Sequence, residues 1–133
     1  MKNVLFVLVV FALSMVSCNK NNDDNNPASG QDHLNPPAWI QGTWIDLSNN
    51  DIRTGYQFTT DDMLTIIGNS SLSVKESLQD TDDISEESTS SKYQFTITHT
   101  ATNNSTETWL FNSIDDTHIE AVHGTVSTTL TKE

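Results

Sequence analysis

An alternation of apolar and polar side chains with a period of two most constrains the fold of this chain. It is clearest over residues 92–100, where one face of an extended chain would carry Tyr93, Phe95, Ile97 and His99. The same period recurs over residues 125–132. Half-buried antiparallel strands have this period, and no window of the sequence shows the apolar stripe of a helix. Abundant serine and threonine also favour strands. We therefore predict an all-β domain.

Turn-forming residues divide the alternating segments into a series of predicted strands. They span residues 41–48, 53–59, 62–68, 71–79, 91–100, 105–113, 117–122 and 125–132. Short turns between consecutive strands favour a meander, and closure of a meander removes its exposed edges. The predicted fold is an antiparallel up-and-down β-barrel of about eight short strands, formed by residues 37–133.

Residues 1–17 have the features of a secretory signal peptide. Lys2 supplies a positive charge, and a nearly unbroken apolar run follows over residues 4–16. This run is shorter than the roughly 20 residues that a membrane-spanning helix needs. Ser17 and Cys18 then match a bacterial lipoprotein cleavage site, at which the cysteine is acylated, with palmitate among its chains. We expect Cys18 to anchor the mature protein in the membrane. An ordinary signal peptide followed by a free thiol is the alternative.

Polar composition indicates a flexible linker over residues 18–36. These residues are mostly Asn, Asp, Pro, Ser and Gly, and they carry too little apolar surface to fold. Asn19 replaces the aspartate that retains some lipoproteins at the inner membrane, which favours the outer membrane of the cell envelope. Lys20, Asp23 and Asp24 resemble signals that export lipoproteins to the outer cell surface. A plain soluble tether is the alternative interpretation of this patch.

The charge balance excludes one class of partner. The formal net charge is −12 at pH 7, and the sequence offers no basic patch that could neutralise phosphates. Nucleic acid is therefore not an expected partner. An acidic surface suits solubility and cationic or basic partners. The single cysteine excludes an internal disulfide and fits its predicted acylation.

A short motif at the first predicted strand resembles a known family. Gly42 and Trp44 are similar to the Gly-x-Trp that opens domains of the lipocalin and calycin group. Residues 39–44 and 108–111 resemble segments of small lipocalin-like lipoproteins from Gram-negative bacteria. In that family the tryptophan plugs the closed end of the barrel, and a basic side chain of the last strand lies across it. The resemblance implies a structural plug formed by Gly42, Trp44 and Lys132.

Aromatic residues on the predicted strands are candidates for the lining of a ligand cavity. A barrel that encloses space would bring a small apolar ligand against Tyr56, Phe58, Tyr93, Phe95 and His99. Packing of a solid core is the alternative role of the same side chains. The volume inside the barrel distinguishes the two.

Clusters of carboxylates and histidines are candidate metal sites. Residues 80–87 carry five carboxylates, which calcium would accept, but they lack the spacing and central glycine of a calcium loop. We interpret residues 80–91 as a mobile, solvated loop. His118 and His123 lie five residues apart and face opposite sides of one strand, so they cannot hold zinc together. The pairs Asp61–Asp62 and Asp115–Asp116 are interpreted as turn residues.

The motifs of common enzymes do not occur in the sequence. It has no nucleophile elbow, phosphate-binding loop or His-Glu-x-x-His sequence. We therefore predict no catalytic residue, metal or cofactor, and we expect the protein not to be an enzyme.

Three functions remain compatible with the sequence. The favoured one is an outer-membrane lipoprotein whose lipocalin-like barrel binds a small apolar ligand. An interaction or maintenance module with a solid core, bound to another envelope protein, is the alternative. An inhibitor that presents residues 80–91 to an enzyme is the third.

Overall fold

The computed structural model describes residues 33–48 and 51–133, which form one antiparallel β-sheet. Its strands are β1 (Gly42–Asp46), β2 (Thr54–Phe58), β3 (Met63–Ile67), β4 (Ser70–Ser73), β5 (Asp82–Ser88), β6 (Lys92–His99), β7 (Ser105–Ser113), β8 (His118–His123) and β9 (Val126–Lys132). Two short helical turns accompany them, α1 (Val74–Ser77) and a 3₁₀ turn at Thr100–Thr102. The all-β prediction is confirmed. The predicted signal peptide, Cys18 and residues 18–32 of the linker lie outside the described residues.

The sheet curls into an open half-barrel. The strand order is β4-β3-β2-β1-β9-β8-β7-β6-β5, in which neighbours along the chain pair as hairpins. The first and last strands of the sheet-forming region meet where β1 pairs with β9, with Trp44 opposite Lys132. The up-and-down arrangement is thus present, but β4 and β5 are edges that do not pair. The prediction of a closed barrel is wrong, and the sheet has nine strands where about eight were predicted.

The direction of the two edge strands explains why the barrel stays open. Strand pairing places Ser73 and Ser88, the last residues of β4 and β5, at the same end of the half-barrel. The two strands therefore run parallel, and residues 74–81 return the chain between them. A closed barrel would have an antiparallel strand in this place. Val74 is buried there, and Leu78 packs against the core, so the connection covers part of the gap.

Side-chain caps end β4 earlier than the sequence pattern predicts. Ser73 Oγ accepts a hydrogen bond from the Glu76 backbone N–H at 3.0 Å and donates one to Asp62 Oδ2 at 2.6 Å. Asp62 Oδ1 accepts from the Lys75 N–H at 2.9 Å. These bonds satisfy the free N–H groups of a helical turn, so α1 replaces the second half of the strand predicted over residues 71–79.

The acidic segment forms a strand where we predicted a loop. Asp82–Ser88 pairs with β6 along its whole length, and Ile84 is buried opposite Ile97. The loop prediction for residues 80–91 is therefore wrong over most of its length. Carboxylates and serines suit an edge strand, because charged edges resist pairing with other chains.

The core lies on the concave face of the half-barrel. Strand register aligns its side chains in rows, for example Phe58 beside Met63 and Ile119 beside Leu130. We call the end with these two rows, which also holds Trp44, the packed end. The opposite end, where Thr54 pairs with Ile67 and His123 with Val126, is the open end. The buried residues of the core cluster are Leu34, Ile40, Trp44, Phe58, Met63, Val74, Ile84, Tyr93, Phe95, Ile97, Phe111, Ile119, Ala121 and Leu130.

Part of the predicted linker belongs to the folded unit. Leu34 is fully buried in the core cluster. The next backbone N–H, of Asn35, donates to Glu86 Oε1 at 2.9 Å and fixes the segment against β5. The folded unit therefore extends to Leu34 at least, and not only from Pro37 onward.

Candidate functional site

A half-open pocket lies on the concave face between the middle of the half-barrel and its open end. Its volume is about 150 Å³, and it is lined by residues of β1, β2, β3, β8 and β9. The lining side chains include Tyr56, Ile67, Ala121, His123, Val126 and Thr128. No residue of β5, β6 or β7 lines this pocket.

Small side chains create the pocket. Towards the packed end, the concave rows are filled by large residues such as Phe58 and Met63. One row further along, Thr65 stands opposite Tyr56, and Thr128 stands opposite Ala121. Threonine and alanine do not reach the centre of the half-barrel, so space remains above them.

Exposed aliphatic residues lie at the rim of the pocket. Ile67 and Val126 line it and are 53% and 63% exposed. Leu72 of β4, opposite Thr65, is 66% exposed. Single exposed aliphatics are ordinary on protein surfaces, but several around one concavity are typical of binding sites.

Three rings stack across the strands beside the pocket. Phe95, Trp109 and His123 stand opposite one another on β6, β7 and β8. The centroids of Phe95 and Trp109 are 5.0 Å apart with an angle of 12° between the planes, and those of Trp109 and His123 are 4.3 Å apart at 5°. The exposed His123 ends this row and also lines the pocket.

The pocket has one carboxylate, that of Asp46 at the end of β1. Hydrogen bonds from Ser48, including one from its backbone N–H to Oδ1 at 2.7 Å, lower the pKa of Asp46. The group is therefore an anion at neutral pH. Burial raises the pKa of the Tyr56 phenol, so this ring stays neutral.

The predicted lining residues occupy three different places. Tyr56 lines the pocket. Phe58, Tyr93 and Phe95 are buried in the packed core, where Phe58 and Tyr93 meet edge to face at 6.2 Å. His99 lies at the open end, and its Nδ1 is 3.1 Å from Asp82 Oδ2. Contact of these residues with a ligand stays a prediction.

Sequence reasoning missed most of the pocket. From the sequence, His123 is considered only as a zinc ligand, Val126 and Thr128 are assigned only to one face of a strand, and Ile67 has no predicted role. The available signal was side-chain size, since Thr65, Ala121 and Thr128 are small residues at inward positions of their strands. That signal gains meaning only when the pairing of the strands is known.

The structure brings the three residues of the predicted plug together. Trp44 is buried at the packed end, and its Nε1 donates to the Ile40 carbonyl oxygen at 2.6 Å. Lys132 Nζ lies 4.9 Å from the centroid of the Trp44 ring. Gly42 has a φ of +122°, and a Cβ there would lie 3.1 Å from Lys132 Cε, so glycine suits this position.

The acidic residues make local contacts. Asp115 Oδ1 accepts from the Thr117 backbone N–H at 2.8 Å, as expected of a turn aspartate. Within β5, Glu86 accepts from the Tyr93 hydroxyl, and Asp82 from the Gln79 N–H. Within residues 33–48 and 51–133, no three His, Cys, Asp or Glu side chains are grouped so that they could hold a metal ion.

Comparisons with protein-family models, curated proteins and solved structures each found no match. In the described part of the chain, no helix has the length and apolar character to cross a membrane.

Proposed function

We propose that the half-barrel binds a small apolar ligand on its concave face at the open end. The observation that carries the proposal is the half-open pocket, because its rim exposes Ile67 and Val126 to solvent. We propose further that acylated Cys18 holds the domain at the outer membrane, so that the pocket works at the cell envelope. A Cys18→Ser variant should then leave the membrane fraction and lose its palmitate label.

The volume of the pocket limits the size of the ligand. A cavity of about 150 Å³ in a protein core is large enough for a benzene molecule. Apolar surface removed from water contributes about 25 cal/mol per Å², and a ligand in this pocket would also cover part of the rim. Sites for larger ligands usually have about 300 Å³ or more. We therefore expect a ligand, or the apolar part of one, with the size of one ring.

Saturation-transfer NMR on the purified chain tests the proposal, with phenol and cyclohexanol as probes. Both probes have the size of one ring, and at least one should receive saturation from the protein. Thr128→Trp places a large ring in the pocket and should abolish the transfer. Thr129→Trp is the matched control, since residue 129 lies on the other face of β9 and is exposed. Absence of transfer from the unmodified chain, or equal loss in both variants, would overturn the proposal.

A protein partner is the second candidate function. It is favoured by the full burial of Tyr93 and Phe95, which act as core residues, and by the exposed aliphatic residues Ile67 and Val126 at the rim of the pocket. An envelope protein could cover that rim with an apolar side chain. If neither probe binds, this candidate becomes the better explanation of the exposed aliphatic residues.

The inhibitor proposal has less structural support. It requires a long presented loop over residues 80–91, but most of these residues belong to β5. Only residues 80–81 and the connection between β5 and β6 remain outside the strands of this segment.

A further inference from the structure

We propose that the pocket selects a planar aromatic ring, which stacks on His123 and extends the row formed by Phe95 and Trp109. This inference rests on the proposed function, since it names the chemical class of ligand for the same pocket. It gives a role to the aromatic side chain of His123, which ends the row and also lines the pocket.

The pocket lies at the His123 end of the stacked row formed by Phe95, Trp109 and His123. Phe95 covers one face of the Trp109 ring, and His123 covers the other. Both faces of the indole are therefore occupied. The pocket is lined by β8 and β9 but by no residue of β7. On the side of His123 away from Trp109, Val126 of β9 stands opposite His123 and is 63% exposed, so a ring would reach the imidazole beside this short side chain. A ring entering the pocket meets the imidazole as the last member of a stack.

The ring planes of Trp109 and His123 are nearly parallel, which gives the imidazole a fixed orientation. Trp109 and His123 are only 5° from parallel at 4.3 Å, which is the geometry of stacked rings. The Trp109 contact thus fixes the orientation of the imidazole before a ligand arrives. A flat ring can use this prepared surface, whereas a puckered aliphatic ring of the same size cannot approach it as closely.

A second aromatic side chain is held at the pocket from the other half of the sheet. Tyr56 of β2 packs edge to face against Phe111, with centroids 5.5 Å apart and planes at 80°. Its ring is therefore fixed by the core while it lines the pocket. Together, Tyr56 and His123 supply two preset aromatic surfaces, which reduces the entropy cost of ordering side chains on binding.

Charge narrows the class of ring. Asp46 is the only carboxylate among the residues that line the pocket, and the whole chain is strongly acidic. A neutral ring, or one that carries a cationic substituent, is favoured over one that carries an anion. The inference therefore covers phenyl or similar single rings with neutral or amine substituents.

Paired probes test the inference by NMR titration of the purified chain. Phenol and cyclohexanol have similar size and one hydroxyl each, so they differ mainly in planarity. We expect phenol to bind roughly 2- to 12-fold more tightly, the range that corresponds to one aromatic contact, and to shift the ring signals of His123. Benzylamine should bind more tightly than benzoate.

Variants on β8 assign the preference to one residue. His123→Ala should reduce the affinity for phenol to that for cyclohexanol, and His123→Phe should keep the preference because it retains a planar ring. His118→Ala is the matched control, since its side chain lies on the opposite face of β8 and contacts Asp115. It should leave both affinities unchanged.

The outcomes separate this inference from the proposed function. Equal affinity for phenol and cyclohexanol in the unmodified chain overturns the inference but supports the apolar pocket. A preference for phenol that persists in His123→Ala also overturns it. Binding of neither probe overturns the proposed function and the inference together. If His123→Ala does not fold, the unmodified chain still tests the contact, because a phenol titration that leaves the ring signals of His123 unshifted overturns the inference.

Discussion

Leu34 offers a test of where the folded unit begins. Its side chain has no exposed surface, and it packs in the core although its neighbours in sequence are polar. The contact of Asn35 with Glu86 holds the segment in place. Leu34→Ala would therefore leave a cavity in the core that the surrounding side chains can fill only in part.

The size of the effect follows from this burial. Leucine-to-alanine substitutions at buried sites cost about 2–5 kcal/mol, and the cost rises when the site cannot collapse. We expect the free energy of unfolding to fall by about 3 kcal/mol, within that range. A change of 1 kcal/mol moves the melting temperature of a domain of this size by about 4–8 °C, so Tm should fall by about 12–24 °C.

Urea and thermal unfolding followed by circular dichroism measure this loss. Leu47→Ala is the matched control, because it makes the same chemical change at a side chain that is 65% exposed. Substitutions at exposed positions usually change stability by less than about 0.5 kcal/mol. Equal midpoints for the two variants would show that Leu34 lies in a flexible linker, and the structural argument would fail.

Two further predictions concern Lys132 and Asp115. Lys132→Met should lower the free energy of unfolding by about 0.5–1 kcal/mol through loss of the cation–π contact with Trp44, and Lys132→Arg should retain it; identical urea midpoints for all three proteins would contradict this. Hydrogen bonds from the Thr117 N–H and from His118 lower the pKa of Asp115 from 3.8 to about 2. Because the folded-state pKa is the lower one, the stability from Asp115 is present above pH 4 and lost as pH falls towards 2, so NMR titration of its carboxyl carbon should have a midpoint near 2 and not near 4.

Local sequence signals predicted much of the sheet. Seven of the eight predicted segments each correspond to one observed strand with similar bounds. They could be predicted because alternation and turn residues are signals that extend over only a few neighbouring positions. The segment over residues 71–79 is only half correct. In this segment the apolar residues Leu72, Val74 and Leu78 favour a strand, whereas hydrogen bonds to Ser73 and Asp62 cap a helical turn. Asp62 lies more than ten residues before this turn, so a local sequence pattern does not show that it caps the turn.

At β5 the prediction failed in the opposite direction, because a strand forms where a loop was predicted. Its carboxylates resemble those of a solvated loop, and only Ile84 is buried. The strand exists because β6 offers a partner along its full length and because Tyr93 and Asn35 bind Glu86. None of these partners is visible in the composition of the segment itself.

The sequence by itself determined the all-β class, most of the hairpins and the inward side of the clearly alternating strands β6 and β9, since these depend on contacts between near neighbours. Only the tertiary structure decided that the barrel stays open, that Phe58 and Tyr93 fill the core, and that Tyr56 and His123 border a pocket. Alternation assigns a side chain to a face but not to a position along the barrel. That position follows from the pairing of β1 with β9, which joins residues from opposite ends of the domain.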